Sequence, residues 1–350
     1  MGVEWLCTRE DVKGALDSAE TARNNRRVDR AIAAATGAVR GLTHRSFRPM
    51  LDTRYFDWPD LNRSRSYRLW LGENELISVT SVTAGGTVLA PADILLSYGL
   101  NDSAPFAALE TNLGSSSAFE AGDTHQDAVG VQGLYGYRDD EEVVGALAGN
   151  LDADAADTAT INWTTADIGV GDLLRIGAER MTITAKSMLD TGQDLQTPLA
   201  ASTGETLVAV TNGAVFAPDQ VLLLDAERML VVDVAGNNLV VKRAWDGSVL
   251  AAHTSSDVYT LTGVDVDRAD RGSILAAHLS GALIYRHIVP GLVRQLAVAE
   301  SLVALQQEAA GYARSERTGE GERDTGAFGL PDLRTQVRRE FARKMRTAAV

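Results

Sequence analysis

The tetrapeptide Ala-Glu-Arg-Met occurs twice, at 178–181 and 226–229, each time inside a longer matching segment. Leu173-Leu-Arg-Ile-Gly-Ala-Glu-Arg-Met-Thr-Ile183 aligns with Val221-Leu-Leu-Leu-Asp-Ala-Glu-Arg-Met-Leu-Val231 at an offset of 48. A second repeat pairs Arg243-Ala-Trp-Asp-Gly-Ser-Val-Leu-Ala-Ala-His253 with Arg268-Ala-Asp-Arg-Gly-Ser-Ile-Leu-Ala-Ala-His278 at an offset of 25. Internal repetition constrains a fold because each copy is one supersecondary unit that must bury its apolar face beside its twin. Each copy of the first repeat reads as strand, turn, strand. Ser273 to Tyr285 alone fits an amphipathic helix, but its twin near 243–259 follows the β-type run Asn238-Leu-Val-Val-Lys242. Both copies are therefore assigned strand–turn–strand, and residues 158–287 read as one β-rich domain built by duplication.

The flanking segments carry other periods. Residues 8–48 read as helical, opened by Thr8 with Asp11 three residues later, a capping-box spacing. Val28, Ile32, Ala35, Val39 and Leu42 form one stripe, and Arg23, Arg26, Arg27 and Arg30 stand on the other face. The plain reading of these arginines is a solvated face; the sharper one is a contact with a neighbouring subunit or with another protein of an assembly. From Leu51 the pattern becomes short strands: Tyr67 to Trp70, then Ile77 to Val82, with Gly85-Gly86 as a tight hairpin turn before Val88-Leu89. Val129 to Tyr137 reads as the closing strand of this unit, which spans 1–140. Residues 141–157, acidic and rich in small side chains, read as a linker. Pro290 suits the first position of a helix, and 288–313 follows with Leu292, Leu296, Ala299 and Val303 on one face. Residues 314–332 look flexible by composition. The tail 333–350 recovers a helical stripe, Leu333, Val337, Phe341 and Met345, among Arg334, Arg338, Arg339, Arg343, Lys344 and Arg346. The expected class is α+β: a small helical unit with a short antiparallel sheet, an inserted all-β domain of internal repeats, and a C-terminal helix with a basic tail.

Composition narrows the functional classes. The 350 residues carry a net charge of −14, which argues against a surface that coats nucleic acid, since phosphate binding needs a basic face. A single cysteine, Cys7, leaves no intrachain disulfide and points to synthesis in a reducing compartment. The N-terminus has no signal-peptide pattern, and no apolar run approaches the roughly 20 residues that cross a bilayer.

The search for chemistry returns few candidates. P-loop, G-x-S-x-G and H-E-x-x-H patterns are absent, and Gly169-Val-Gly171 lacks the third glycine of a dinucleotide fingerprint. His253 and His278 occupy matching places in the second repeat, so either they form a metal or catalytic pair, or duplication copied one locally bonded turn histidine. The second reading is preferred because no ligand partner lies at metal spacing beside either. Glu179-Arg180 and Glu227-Arg228 recur likewise; adjacent strand residues point to opposite faces, which favours a structural charge pattern over an acid–base pair. Asp265, Asp267 and Asp270 resemble a fragment of a calcium loop without its glycine and closing glutamate. Cys7, beside Trp5 and Leu6, reads as a small buried hydrophobe. No catalytic group, metal or cofactor is expected. The basic tail is either a solvated end, a helix that docks in a partner's groove, or a DNA contact; its apolar stripe favours docking.

The order of these elements resembles the head–tail adaptors of long-tailed bacteriophages. The resemblance rests on the N-terminal helical pair, Arg45-Ser-Phe-Arg-Pro49 with Thr53-Arg-Tyr-Phe56, and the hairpin Leu76 to Thr83 with Gly86-Thr-Val-Leu89. It continues with Asp93-Ile-Leu-Leu96, Val131-Gln-Gly-Leu-Tyr-Gly-Tyr137 and the proline-opened helix from Pro290. It covers about residues 8–138 and 288–312, and 158–287 departs from it as an insertion. It implies a homo-oligomeric ring, commonly of twelve copies, in the virion neck. Such a ring docks on the portal protein, offers a platform to the next neck or tail-terminator protein, and passes genomic DNA without reading sequence. Under this resemblance Leu333, Arg334, Val337, Arg338, Arg339, Phe341, Arg343, Lys344 and Met345 meet the portal, and Arg23, Arg26, Arg27 and Arg30 meet a neighbouring subunit or the portal. A tail or baseplate subunit with a β decoration or host-binding domain is the alternative.

Overall fold

The computed structural model describes residues 4–16, 24–58, 66–97, 104–153, 158–162, 168–309, 315–318, 321–324 and 329–343. The fold is α+β, and every strand pairing among the described residues is antiparallel.

Helix α1 (Arg9–Ala15) opens on the expected capping box: the Thr8 hydroxyl accepts the Asp11 N–H at 3.1 Å, and the Asp11 carboxylate accepts the Thr8 N–H at 2.8 Å. Helix α2 (Asn25–Thr43) buries Val28, Ile32, Ala35 and Val39, as their spacing requires. The third helix, α3 (Gly291–Ala309), returns after Pro290 to pack on α2. It turns Val293, Leu296, Ala297 and Leu305 inward, so the expected face with Leu292, Ala299 and Val303 is rotated. Aliphatic residues surround α3 on all sides, and spacing alone therefore did not select the contact face. Two charge-assisted pairs fix the bundle: Arg294 donates twice to the Asp11 carboxylate, both at 2.8 Å, and Arg9 donates twice to Asp29 at 2.8 and 2.9 Å.

Strands β1 (Met50–Phe56), β3 (Leu76–Ala84), β4 (Thr87–Leu89) and β7 (Val129–Tyr135) form a sheet in the order β1-β7-β3-β4. The strand expected to close the unit therefore sits inside it, paired on both edges. Gly85 (φ 54°) and Gly86 (φ 85°) make the two-residue turn from β3 to β4. A smaller sheet, β2-β6-β5, joins Arg68–Trp70, Ala108–Thr111 and Ile94–Ser97.

Ten further strands form one sheet that folds into two small units of the same design, an inner closed barrel and an outer barrel-like one, nested one in the other. In chain order they are β8 (Glu141–Ala146), β9 (Thr158–Asn162), β10 (Leu173–Ile176), β11 (Glu179–Asp194), β12 (Leu207–Ala209), β13 (Val221–Leu224), β14 (Glu227–Ala235), β15 (Asn238–Lys242), β16 (Asp257–Asp267) and β17 (Leu283–His287). The outer barrel pairs β9-β16-β11-β10-β17-β8; the inner one pairs β12-β15-β14-β13, then the far halves of β16 and β11. A bridge between Leu195 and Val210 brings the end of β11 back to β12 and closes the inner barrel. The inner hairpin β14–β15 pairs Ala235 with Asn238 across a two-residue turn. At the matching place, where Ser187 pairs with Gly263, the outer hairpin carries residues 188–262, which hold the inner barrel. The two repeats seen in sequence are thus two halves of one unit, and the insertion between the outer halves is why their offsets differ.

The interiors correspond residue by residue. Leu147, Leu151, Ile168, Leu174, Ile176, Met181, Ile183, Val264 and Val266 of the outer barrel match Leu195, Leu199, Phe216, Leu222, Leu224, Met229, Val231, Leu239 and Val241 of the inner one. The inner set is a separate core, whereas the outer set is continuous with the cluster formed by Trp5, Leu6, Val28, Ile32, Val293 and Leu296. The outer barrel is therefore part of the helical layer's core and not a detachable insertion. Buried Arg48 crosses this seam, donating to the carbonyls of Trp5 at 2.7 Å and Gly171 at 2.8 Å. A Cβ on Gly272, in the loop after β16, would lie 1.9 Å from the Leu51 carbonyl of β1, so the loop can approach the sheet only as glycine.

Three expected boundaries change. Residues 141–146 are a strand of the outer barrel, not linker, because β8 pairs with β17 and Leu147 and Leu151 fill the barrel. Ser315–Thr318 and Gly321–Asp324 form a hairpin, β18–β19, within the span expected to be flexible. Helix α4 (Leu330–Phe341) begins three residues before the expected start and packs on α3 and α2. Its Val337 and Phe341 are buried, and the Phe341 ring meets Phe47 and Tyr137 edge-on at centroid distances of 6.1 and 5.9 Å. The stripe expected to dock on a partner completes this chain's own core instead. Phe341→Ala should cost about 3–5 kcal/mol in urea denaturation, as large-to-small changes of buried aromatics do, while Arg338→Ala on the exposed face of α4 should stay within about 0.5 kcal/mol.

Candidate functional site

The repeated Glu, Arg and His side chains converge inside each barrel. In the inner barrel Glu227 opens β14, Arg243 follows β15, and His253 lies on the extended segment leading to β16. Arg243 donates to the two Glu227 oxygens, both at 2.8 Å; the backbone N–H groups of Ala244 and Ala251 donate at 2.9 and 3.0 Å; His253 Nε2 sits 3.0 Å from Oε2. In the outer barrel Arg268 donates to Glu179 at 3.0 and 2.6 Å, Ala269 and Ala276 donate at 3.1 Å each, and His278 Nε2 sits at 2.7 Å. The side chains of both Glu–Arg pairs have no solvent exposure.

The arginine, glycine, serine, first alanine and histidine of the R-x-x-x-G-S-x-x-A-A-H element each have a part in this arrangement. Backbone at Ala244, Asp246 and Gly247, and at Ala269, Arg271 and Gly272, is left-handed, which brings the arginine's own chain around the carboxylate. Such conformations cost non-glycine residues about 1–2 kcal/mol each. Ser248 and Ser273 offset that cost by spanning the turn: each hydroxyl accepts the N–H of Arg228 or Arg180 at 2.9 or 2.8 Å and donates to the carbonyl of the same arginine, or to that of Trp245 or Asp270. The first alanine of the A-A-H run, Ala251 or Ala276, supplies an N–H to the carboxylate and, from its carbonyl, accepts a hydrogen bond from the arginine. Glu179 and Glu227 face inward, while the neighbouring Arg180 and Arg228 face out to Asp139 at 2.7 Å and Asp246 at 2.5 Å.

The electrostatics follow from these contacts. Burial alone would raise the Glu227 carboxyl, but the Arg243 hydrogen bonds, with those from Ala251, His253 and Ala244, bring it down to about 2. Glu179 is lowered for the same reasons. A carboxylate held ionised by five donors has no free lone pair to offer a substrate proton, so its chemistry is structural. The histidines are not bonded locally, as the preferred reading had it; each reaches a glutamate far back in the chain, 26 and 99 positions away. Spacing rules missed this because the acid lies close in space and remote in sequence. Asp225 is a further participant absent from the sequence reading: its carboxylate lies 2.6 Å from His253 Nδ1 and accepts the Ser256 hydroxyl at 2.9 Å. The hydroxyl bonds the acid and not the ring, which is the wrong order for a serine nucleophile.

The other candidates resolve individually. Cys7 is buried, and desolvation pushes its thiol up to about 12, so no thiolate forms near neutrality. Asp270 accepts the Thr182 hydroxyl at 2.6 Å, and among the described residues no three His, Cys, Asp or Glu side chains gather as metal ligands. His44 ends α2 in a left-handed cap. His287 donates Nε2–H to the Phe47 carbonyl at 2.8 Å, and its burial pushes it down to about 3. Arg27 donates to Glu308 at 3.2 Å and to the Leu305 carbonyl at 2.7 Å, and Arg30 pairs with Glu308 at 3.3 Å, so these two clamp α2 to the end of α3. Arg26 is exposed, and Arg23 lies outside the described residues. On α4, Arg334 pairs with Glu300 and Arg343 donates to the Gly72 carbonyl, while Arg338 and Arg339 are exposed. Leu333 is half-buried, and Lys344 and Met345 lie outside the described residues. No described helix is long and apolar enough to cross a membrane. Comparison with family models, curated proteins and solved structures finds no match.

Glu227→Gln leaves Arg243 buried without its counter-charge and should cost about 3–5 kcal/mol, seen as a lower urea midpoint; Ser248→Ala, which frees the turn, should cost about 1–2 kcal/mol. Because the folded pKa of Glu227 is depressed, its stabilisation is full above the unfolded value of 4.5 and is lost as pH falls toward 2. Wild-type stability should therefore fall across that window, and the fall should be shallower in Glu227→Gln.

Proposed function

We propose that the chain is a structural subunit of a phage neck ring, which docks on the portal, extends the DNA channel and offers a platform to further neck or tail proteins. The observation that carries the reading is the return of α3, opened by Pro290, onto the N-terminal helix pair beside a four-stranded antiparallel sheet. That is the order of parts which the adaptor resemblance implies. The absorption of the repeated Glu, Arg and His groups into the barrel interiors supports an assembly role over catalysis. A net charge of −14 suits a channel wall that lets DNA slide without gripping it.

The surfaces assigned to contacts narrow in consequence. Val337 and Phe341 serve the core, so removing 333–350 would damage the fold and is not a clean test of docking. Among the described candidates, Arg338 and Arg339 on the outer face of α4, with Arg26 on α2, are exposed and free to meet a partner. Mixing the purified protein with the portal of the same virion and weighing the assembly by light scattering should give a closed ring on the portal. Arg338→Glu with Arg339→Glu should weaken that complex at least tenfold with an unchanged melting temperature. A chain that stays monomeric beside the portal at micromolar concentration would sink the proposal. Labelling the inner barrel and locating it in particles by electron microscopy separates the neck from the alternative, a tail or baseplate position.

A further inference from the structure

The two barrels serve as internal references for each other, and they differ at one histidine. His253 is saturated: Nε2 faces Glu227, and Nδ1 faces Asp225, which Ser256 also holds. In the outer barrel Nε2 of His278 faces Glu179 in the same way. The residue matching Asp225 is Gly177. Beyond the histidine the outer copy is one residue longer, and the residue matching Ser256 is Ala282, whose carbonyl accepts from Leu147 as that of Ser256 accepts from Leu195. The backbone at the first position is the same in both, with φ 52° at Asp225 and 59° at Gly177. The carboxylate that covers Nδ1 in the inner barrel, and the hydroxyl that holds it, are thus missing from the outer one. Among the described residues nothing hydrogen-bonds His278 Nδ1, although the residue is only 8% exposed. A Cβ on Gly177 would stand 3.8 Å from Cε1 and 4.0 Å from Nδ1 of that ring.

We propose that the notch over Gly177 is a carboxylate-binding site, in which an acidic side chain from another molecule takes the place that Asp225 fills internally in the inner barrel. The chemistry follows from the groups around it. Glu179 holds the far nitrogen and is itself neutralised by Arg268. Arg175 stands at the rim, donating to the Gly177 carbonyl at 2.5 Å, and is held there by Glu141. One ring nitrogen beside two arginines does not suit a metal ion, which would need further ligands. A carboxylate meets Nδ1 as a hydrogen-bond acceptor, while Nε2 stays on Glu179. One charge-assisted hydrogen bond at a partly open site gives a dissociation constant on the order of 10 mM for an isolated group. The inference is independent of the neck-ring reading.

The test uses the full chain with ¹⁵N-labelled histidine and N-acetyl-aspartic acid amide as the probe. The ring nitrogens of His278 should shift saturably on titration, while those of His253 stay still. Gly177→Asp should abolish the response and give His278 a spectrum like that of His253. Asp225→Gly should do the reverse and make His253 responsive, which keeps the test valid if the first variant does not fold. No shift at His278 up to roughly ten times that dissociation constant, or an equal shift in Gly177→Asp, overturns the proposal. Sedimentation then identifies the source of the carboxylate. Self-association that Gly177→Asp weakens places it on a second copy, and unchanged sedimentation places it on a different molecule, with binding established in both cases.

Discussion

Two buried glutamates determine how this protein can be put together. Withdrawing Glu179 and Glu227 from water costs several kcal/mol each, and only complete compensation makes the sites tolerable. Compensation here comes from a bidentate arginine, two backbone N–H groups and a histidine, with the same partners in both barrels. Those donors lie on separate strands and turns, so the carboxylate is satisfied only when all of them are in register. A slipped strand would strand a charge in an apolar interior, which is a strong selection against alternative pairings. The left-handed turns after Arg243 and Arg268, the serine that spans each, and the alanines that follow are consequences of bringing donors to one carboxylate.

The outer barrel has a second task, because its interior runs into the helical layer. Arg48, His287 and the close approach of the Gly272 loop to β1 lie along the junction. The inner barrel has its own core and meets the rest through the long β11–β16 hairpin. One design is thus used twice under different constraints. The copy fused to the helices has Gly177 and Ala282 where the copy at the hairpin tip has Asp225 and Ser256.

Much of this was legible from residues, and the failures have identifiable causes. The capping box at Thr8, the Gly85-Gly86 turn and the stripe of α2 depend on contacts close in sequence, and those were read correctly. The repeats at 243–259 and 268–286, expected as strand–turn–strand, are instead a left-handed turn and an irregular stretch before a single strand. The reason is that their backbone wraps the glutamate, and the strand that follows pairs with β11 and β13, or with β10 and β8, far back in the chain. Leu333, Val337 and Phe341 were recognised as an apolar stripe, but periodicity shows only that a face is buried, not against which molecule. The 141–146 strand was hidden by its acidic composition: Glu141 and Glu142 look like linker residues until Arg175 and Arg286 on neighbouring strands are seen to pair with them. The glutamate clusters escaped because Glu179 and Arg268 are 89 residues apart, whereas Glu227 and Arg243 are 16 apart. The repeats were visible, but their nesting was not, since an offset of 48 followed by one of 25 does not by itself reveal which half belongs to which.

Nesting also sets an order of events during synthesis. When the ribosome has released residues up to about 260, the inner barrel has all its strands, while the outer barrel still lacks the rest of β16 and all of β17. The inner unit can close on contacts of short span. The outer carboxylate must wait for an arginine that arrives 89 residues later, a longer loop whose closure costs about 1.5 kcal/mol more by chain entropy alone. Once the inner barrel is folded, however, Asp194 and Asp257 are already paired neighbours, and the intervening chain no longer behaves as a loop. The inserted copy then acts as a splint that holds the two outer halves together until the rest of the chain emerges.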